Sequence, residues 1–202
     1  TVELEQEGYN SSWEQADAKT FEENADKAIN TWDDVRDQFS EAYAEIDQES
    51  FWSYMAAHER SEVLDEDGFL LIDQADYDVD DTGIETIYGD SVCAIDTRNG
   101  IVIVALKGDG YSGRMAIVKN PGQVRLAVSD TLGTSGSYLR QICRSNDAVL
   151  GINASGFSDP EGTGNGGDAF GMIMADGTML NRALDVKMKV IGMDMSNRLN
   201  IS

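Results

Sequence analysis

Near residue 90 the spacing of apolar residues changes from that of a helix to that of a strand, and the charge changes with it. Residues 1–90 hold 27 Asp plus Glu against 4 Lys plus Arg, a net of −23, whereas residues 91–202 hold 10 against 11, a net of +1. An acidic helical part followed by a neutral β-rich part with one inserted helix predicts the α+β class. At 202 residues the chain can bury one good-sized core, with or without a small helical appendage.

In the acidic part Phe21, Ala25, Ala28, Trp32, Val35, Phe39, Ala42 and Ile46 recur at alternating spacings of four and three. That is one stripe on a helix whose other faces carry Glu, Asp and Gln. Its seam mixes Ala, Trp, Phe and Val, which favours packing against a second helix or the domain body over a regular coiled coil. Ser11 or Ser12 is the expected cap of this helix, and Ser50 the expected cap of a second one over FWSYMAAHER. Residues 1–60 thus read as an acidic helical region and 61–90 as an acidic linker or surface excursion. The stretch DEDGFLLID lacks the ligand spacing and closing Glu of a calcium loop.

From residue 91 onward, SVCAIDT and GIVIVALKG read as a pair around RNG. GRMAIVK and QVRLAVS flank the turn NPG, and a helix over SGSYLRQICRSN has Ser135 or Ser137 as its cap. The run AVLGI predicts a short buried strand. FGMIMADGTMLNR reads as strand, DG turn, strand, and VKMKVIGMDMSNRLNIS repeats that pattern around SN. Met172, Met174, Met179, Met188, Met193 and Met195 are expected fillers of a strand core.

Several function classes are disfavoured. The field of the acidic half repels polyanions, which argues against nucleic acid as its partner. No window approaches the 18 or so apolar residues of a membrane span. Cys93 and Cys143 lie in apolar contexts and read as two buried thiols, and with the single His58 they make no zinc set. The triplets at Asn10, Asn153 and Asn200 match the glycosylation pattern only weakly.

The stretch GINASGFSDPEGTGNGG, residues 151–167, is the candidate site. It has six glycines but no GxGxxG opening a helix and no Walker lysine, so a nucleotide phosphate loop is rejected. Asn153, Ser155 and Asp159 offer short polar groups, and backbone N–H groups near Gly162, Gly164, Gly166 and Gly167 suit an anion-binding nest. The same composition suits a plain surface loop, and local physics leaves both readings open.

The run VRLAVSDTLGTSGSYLRQICRSNDAVLGINASGFSDPEGTGNGG, followed by FGMIMADGTMLN and VIGMD, resembles the first part of the phosphodiester glycosidase family. The likeness rests on Asn153, Ala154, Phe157, Gly166, Gly167, Gly171 and the pair Asp176 and Gly177, and it covers roughly residues 91–200. The resemblance implies a hydrolase, extracellular or at a cell surface, that releases a GlcNAc-like sugar from a sugar-1-phosphodiester; no cofactor is expected and no metal ligand is assigned. It implies that Asn153, Ser155, Phe157, Gly166 and Gly167 bind substrate. Cleavage at the anomeric carbon needs a carboxylate to activate water or stabilise charge, which makes Asp159 the first candidate and Asp130 the second, although each also suits a turn acceptor. Arg125 and Arg144 are candidate phosphate partners. PRTAIG-like and LDGGGS-like segments, usual later in the family, are not in the sequence, so a partner chain or a C-terminal segment completing the domain is expected. A non-catalytic glycan-binding or cell-envelope module is the rival expectation, and an interaction arm formed by residues 1–60 a third.

Overall fold

The computed structural model describes residues 39–73, 82–160, 162, 166–182 and 189–201. Ser11, Ser12, most of the Phe21 to Ile46 stripe including Trp32, and Met188 lie outside the described residues. The fold is α+β, and the chain divides between Gln123 and Val124 into two compact units.

In the unit that ends at Gln123, helices α1 (Gln48–Ala57) and α2 (Arg60–Val63) precede four strands, β1 (Leu71–Asp73), β2 (Ser91–Asp96), β3 (Ile101–Gly108) and β4 (Tyr111–Val118). The strands form one antiparallel sheet in the order β1-β2-β3-β4. Alternation puts Ile72, Ile95, Val102 and Ile117 opposite one another, so one apolar row crosses all four strands. Val92, Val104 and Met115 form a second row. A register shift between Val92 and Ala94 inserts Cys93, which lets two successive residues of β2 be buried.

This face packs with Phe39, Tyr43, Ile46, Phe51, Met55, Val63, Leu70 and Ile84. Phe39 stacks between Tyr43 and Phe51, with ring centroids 4.8 and 3.8 Å away. Each fully buried Leu, Ile, Val or Phe here contributes roughly 1.5–3 kcal/mol, so this core dominates the stability of the unit. The stripe residues Phe39 and Ile46 are core anchors.

Residues 61–90 are more than a linker, because Leu70, Ile72 and Ile84 are fully buried and β1 is a sheet strand. Thr97 fixes this segment: its N–H donates to the Leu70 carbonyl at 2.9 Å, and its buried hydroxyl oxygen accepts the Leu70 N–H at 2.8 Å. The acidic turn at Asp65 and Asp67 is clamped by Arg98, whose Nη2 lies 2.8 Å from Asp65 Oδ2 and 2.5 Å from Asp67 Oδ2. Desolvation pulls the Asp65 carboxyl upward. Hydrogen bonds from Arg98, the Phe69 N–H and the Asp67 N–H outweigh it and hold the group below the usual carboxylate range.

Two expectations change here. The cap of α1 is Asp47, whose Oδ1 accepts the Ser50 N–H at 2.8 Å, whereas Ser50 Oγ donates to the Asp47 carbonyl. GRMAIVK does not pair with QVRLAVS: β4 pairs with β3 through the turn at Asp109 and Gly110, and Pro121–Gln123 form a 3₁₀ turn. Asn120 starts that turn by accepting the Gly122 N–H at 2.9 Å, and the chain leaves with Val124 and Leu126 exposed.

The second unit holds α3 (Leu139–Ser145) and two separate ribbons, β5 (Ile173–Ala175) with β6 (Thr178–Asn181), and β7 (Ile191–Met193) with β8 (Leu199–Ile201). The DG turn forms as its sequence predicts, with positive φ at Asp176 and Gly177, and Asn197 has positive φ in the SN turn. AVLGI is not a strand, and Val149, Leu150 and Ile152 are exposed. The residue before α3 is Tyr138, not Ser135 or Ser137, and the Gln141 side chain accepts the Tyr138 N–H at 3.1 Å. Ile173 is the one buried hydrophobic among the described residues of this unit. Met172, Met174, Met179, Met193 and Met195 are exposed rather than core fillers. Cys93 is buried and Cys143 only half-buried, and the two form no disulfide with each other. No helix among the described residues is long and apolar enough to cross a membrane.

Replacing Asp47 by Ala removes the α1 cap and should lower the unfolding free energy by about 1 kcal/mol. Urea denaturation followed by circular dichroism would check this; an unchanged midpoint would show that the cap contributes nothing.

Candidate functional site

The site is built from two loops that run close together at the backbone level. The first, 129–137, is rich in hydroxyls because SDTLGTSGS turns twice within nine residues. Ser129 Oγ accepts the Thr131 N–H at 3.1 Å, and the Ser129 carbonyl accepts the Leu132 N–H at 3.1 Å. The expected turn acceptor, Asp130, is therefore replaced by Ser129, and Asp130 is exposed. Ser129 Oγ lies 2.6 Å from Ser137 Oγ and 2.8 Å from Thr131 Oγ1, which donates to the Ser135 carbonyl at 2.8 Å. These three hydroxyls close the turn on itself.

The second loop, 151–171, begins as the chain leaves α3. A Cβ on Gly151 would collide with Cys143 Sγ, so glycine is needed for the chain to pass α3. The loop then folds back on itself through the Phe157 and Ala169 bridge. The Ser158 N–H donates to the Asp168 carbonyl at 2.7 Å and the Phe170 N–H to the Gly156 carbonyl at 2.9 Å. Ser155 Oγ donates to the Phe170 carbonyl at 3.0 Å. Asn181, at the end of β6, clamps the return strand by donating to the carbonyls of Ala169 and Gly171, both at 2.8 Å.

Gly167 joins the two loops. Its carbonyl accepts the Gly133 N–H at 2.8 Å, and a Cβ placed on it would lie 2.5 Å from the Ser135 nitrogen and 2.6 Å from the Thr134 carbonyl carbon. Since those are backbone atoms, no side-chain movement would relieve the overlap. At Gly166 a Cβ would meet the Phe157 ring, a half-exposed side chain. Gly167 is therefore needed for close packing, while the N–H groups of Gly166 and Gly167 bond no described backbone acceptor.

The expected site residues separate into distinct groups. Ser155, Phe157, Gly166 and Gly167 come together in the folded-back loop. Asn153 stands exposed just before it, and Asp159 is half-buried just after Ser158, with its carbonyl accepting the Gly162 N–H at 3.1 Å. Arg125 and Arg144 are exposed. Gly164 lies outside the described residues, and no group of three His, Cys, Asp or Glu suited to a metal occurs among those described. The sequence reading missed Ser129, Thr131, Ser137 and Asn181 as scaffold, although the hydroxyl density of SDTLGTSGS was the available signal.

In the β7–β8 ribbon, Asp194 accepts the Arg198 and Ser196 N–H groups, and desolvation only partly opposes them. Asn200 and the Arg198 side chain add further donors, and the carboxyl falls to about 2. No family model matches the chain, and neither a curated protein nor a solved structure matches it. The class defined by the fold is an α+β protein with a glycine-rich polar loop.

Gly167→Ala should displace the loop at Thr134 and Ser135, seen as large amide shift changes confined to 129–137 and 151–171; an unperturbed spectrum would show that the two backbones do not approach so closely. For Asp194, the folded-state carboxyl lies below its ordinary value. The ribbon stabilisation it supplies is complete above about pH 4 and should be lost as pH falls through about 2. Carboxyl NMR titration reads this directly, and a midpoint near 4 would contradict it.

Proposed function

We propose that the chain is a hydrolase of the phosphodiester glycosidase type, with loop 151–171 forming one wall of its site. The supporting observation is that the N–H groups of the half-buried residues Gly166 and Gly167 bond no described backbone acceptor, while the Gly167 backbone is packed against Gly133, Thr134 and Ser135. Such a pair suits the oxygens of a phosphodiester, because donors held in place need no reorganisation as charge develops. The exposed Asn153 amide, with a donor and an acceptor, would orient the sugar or phosphate.

Cleavage at the anomeric carbon develops oxocarbenium character, so a carboxylate must activate water or stabilise that charge. Asp159 would serve, with Asp130 as the second candidate, and the remaining groups would come from a segment or partner chain outside this sequence. The products would be a free sugar and a phosphomonoester, at the cell surface or outside the cell.

A second reading, a glycan-binding module without chemistry, is favoured by the half-exposed ring of Phe157 (47%) packed on Gly166 beside these polar groups. An apolar face flanked by amide and hydroxyl groups suits a sugar ring.

Incubation with a GlcNAc-1-phosphodiester should release free sugar, and Asn153→Ala should lower kcat/KM by about 10²-fold. Binding without release would support the module instead, and neither binding nor release across several sugar phosphodiesters would end both readings.

A further inference from the structure

The four-stranded sheet ends in two unlike edges. β1 has only three residues, whereas β4 has eight, bonded to β3 in an unbroken register. Long, flat edges are usually blunted by proline, a bulge or several charges, because their outer N–H and C=O groups template another strand. β4 holds no proline, no bulge and one charge, Arg114. Its residues from Tyr111 to Ala116 are exposed, Met115 at 42%.

The register fixes which backbone groups point outward. Only Asp109 and Gly110 separate β3 from β4, so Gly108 and Tyr111 are a hydrogen-bonded pair, and bonding to β3 recurs at every second residue. The Lys119 N–H, which donates to the Gly100 carbonyl at 2.9 Å, keeps the same phase at the far end. Ser112, Arg114, Ala116 and Val118 therefore turn their backbone groups away from β3, toward the edge of the sheet.

We propose that this edge is the contact between two copies of the chain, which pair β4 with β4 antiparallel about a two-fold axis at Met115. A second copy fits because the strand complements itself in one register. With Met115 on the axis, Ser112 meets Val118 of the second copy and Arg114 meets its Ala116, so every outward residue finds an outward partner. No other axis matches all four, and one at Arg114 would set two guanidinium groups opposite each other. On the core side Ile117 faces Gly113 of the copy, a large side chain against an open position. The two Met115 side chains meet there and join the row of Val92, Val104 and Met115 to its copy. The carboxylates that repel a second copy are concentrated before residue 90, whereas residues 101–119 carry Lys107, Arg114 and Lys119 against Asp109.

Sedimentation equilibrium of the whole chain over a micromolar to millimolar series tests the contact, and a reversible doubling of mass is expected. Ala116→Pro removes an outward N–H and no bond to β3, so it should keep the circular dichroism of the wild type and hold the chain as a monomer. Under oxidised glutathione Met115→Cys should cross-link two copies through position 115, since non-hydrogen-bonded pairs approach to about 4.5 Å at Cα. Ser112→Cys, far from position 112 of the copy in this register, should not cross-link to itself. Peptide mapping separates these bonds from any made by Cys143. A monomer throughout the series, a dimer that survives Ala116→Pro, or equal cross-linking at 112 and 115 would each overturn the proposal. If Ala116→Pro fails to fold, Met115→Cys decides: a bond between the two positions 115 supports the pairing, and its absence rejects it.

Discussion

The apolar row of Ile72, Ile95, Val102 and Ile117 must be covered, and the organisation of residues 39–123 follows from that need. The segment that covers it presents Phe39, Tyr43, Ile46, Phe51 and Met55 inward, so its acidic side chains have only the outer faces left. A surface so dense in carboxylates repels itself. Two cations from the strand region relieve this locally: Arg98, between β2 and β3, holds Asp65 and Asp67, and Lys119, after β4, holds Glu45. The charge boundary at residue 90 is thus crossed by ion pairs and by the sheet itself, and the structural division falls at Gln123 instead. Of the two contacts, Arg98 is substantially exposed and contributes little, whereas Lys119 is nearly enclosed and its loss would leave a buried carboxylate unpaired.

Residues 124–201 are organised by a different principle. With Ile173 as the buried hydrophobic, their described part is held by turns, by side chains bonded to backbone, and by two short ribbons. Isolated two-stranded ribbons are marginal in water, so connections such as Asn181 to Ala169 and Gly171, and Ser129 to Ser137, carry much of the local order. Apolar side chains on both ribbons, Met174, Met179, Ile191 and Ile201 among them, remain exposed.

What the sequence disclosed depended on how local each cause was. The DG and SN turns and the pairing of β2 with β3 were legible, because turn chemistry and period-two alternation act within a few residues. QVRLAVS has the same alternation yet is unpaired, since β3 satisfies β4 along its whole length and the Asn120 turn directs the chain elsewhere. AVLGI failed for a related reason: an apolar run becomes a strand only beside a partner. At the site, the glycine-rich stretch was visible as a candidate, but the reason for Gly167 was not. Its constraint is the Thr134 and Ser135 backbone, more than thirty residues away in sequence. Likewise Ser129, Thr131 and Ser137 look like ordinary turn residues until the chain reversal brings their hydroxyls together.

The use of Gly167 bears on both ways of reading the loop. A mobile surface loop needs glycine for its freedom, whereas here the residue is held against the 133–135 backbone, by the Gly133 hydrogen bond and by the atoms where a Cβ would go. Glycine that permits close packing lowers local freedom instead of raising it, and the directions of the adjoining N–H groups become fixed with the backbone. For the proposed phosphodiester site this distinction matters more than the number of glycines. A flexible nest must be ordered by its anion and loses affinity to that ordering, while a packed one has its donors aimed before the anion arrives. Asn153 lies outside the folded-back pairing and keeps its side-chain freedom. In the proposed site, Gly167 would thus supply a backbone donor already fixed in place, and the exposed Asn153 amide one free to adjust.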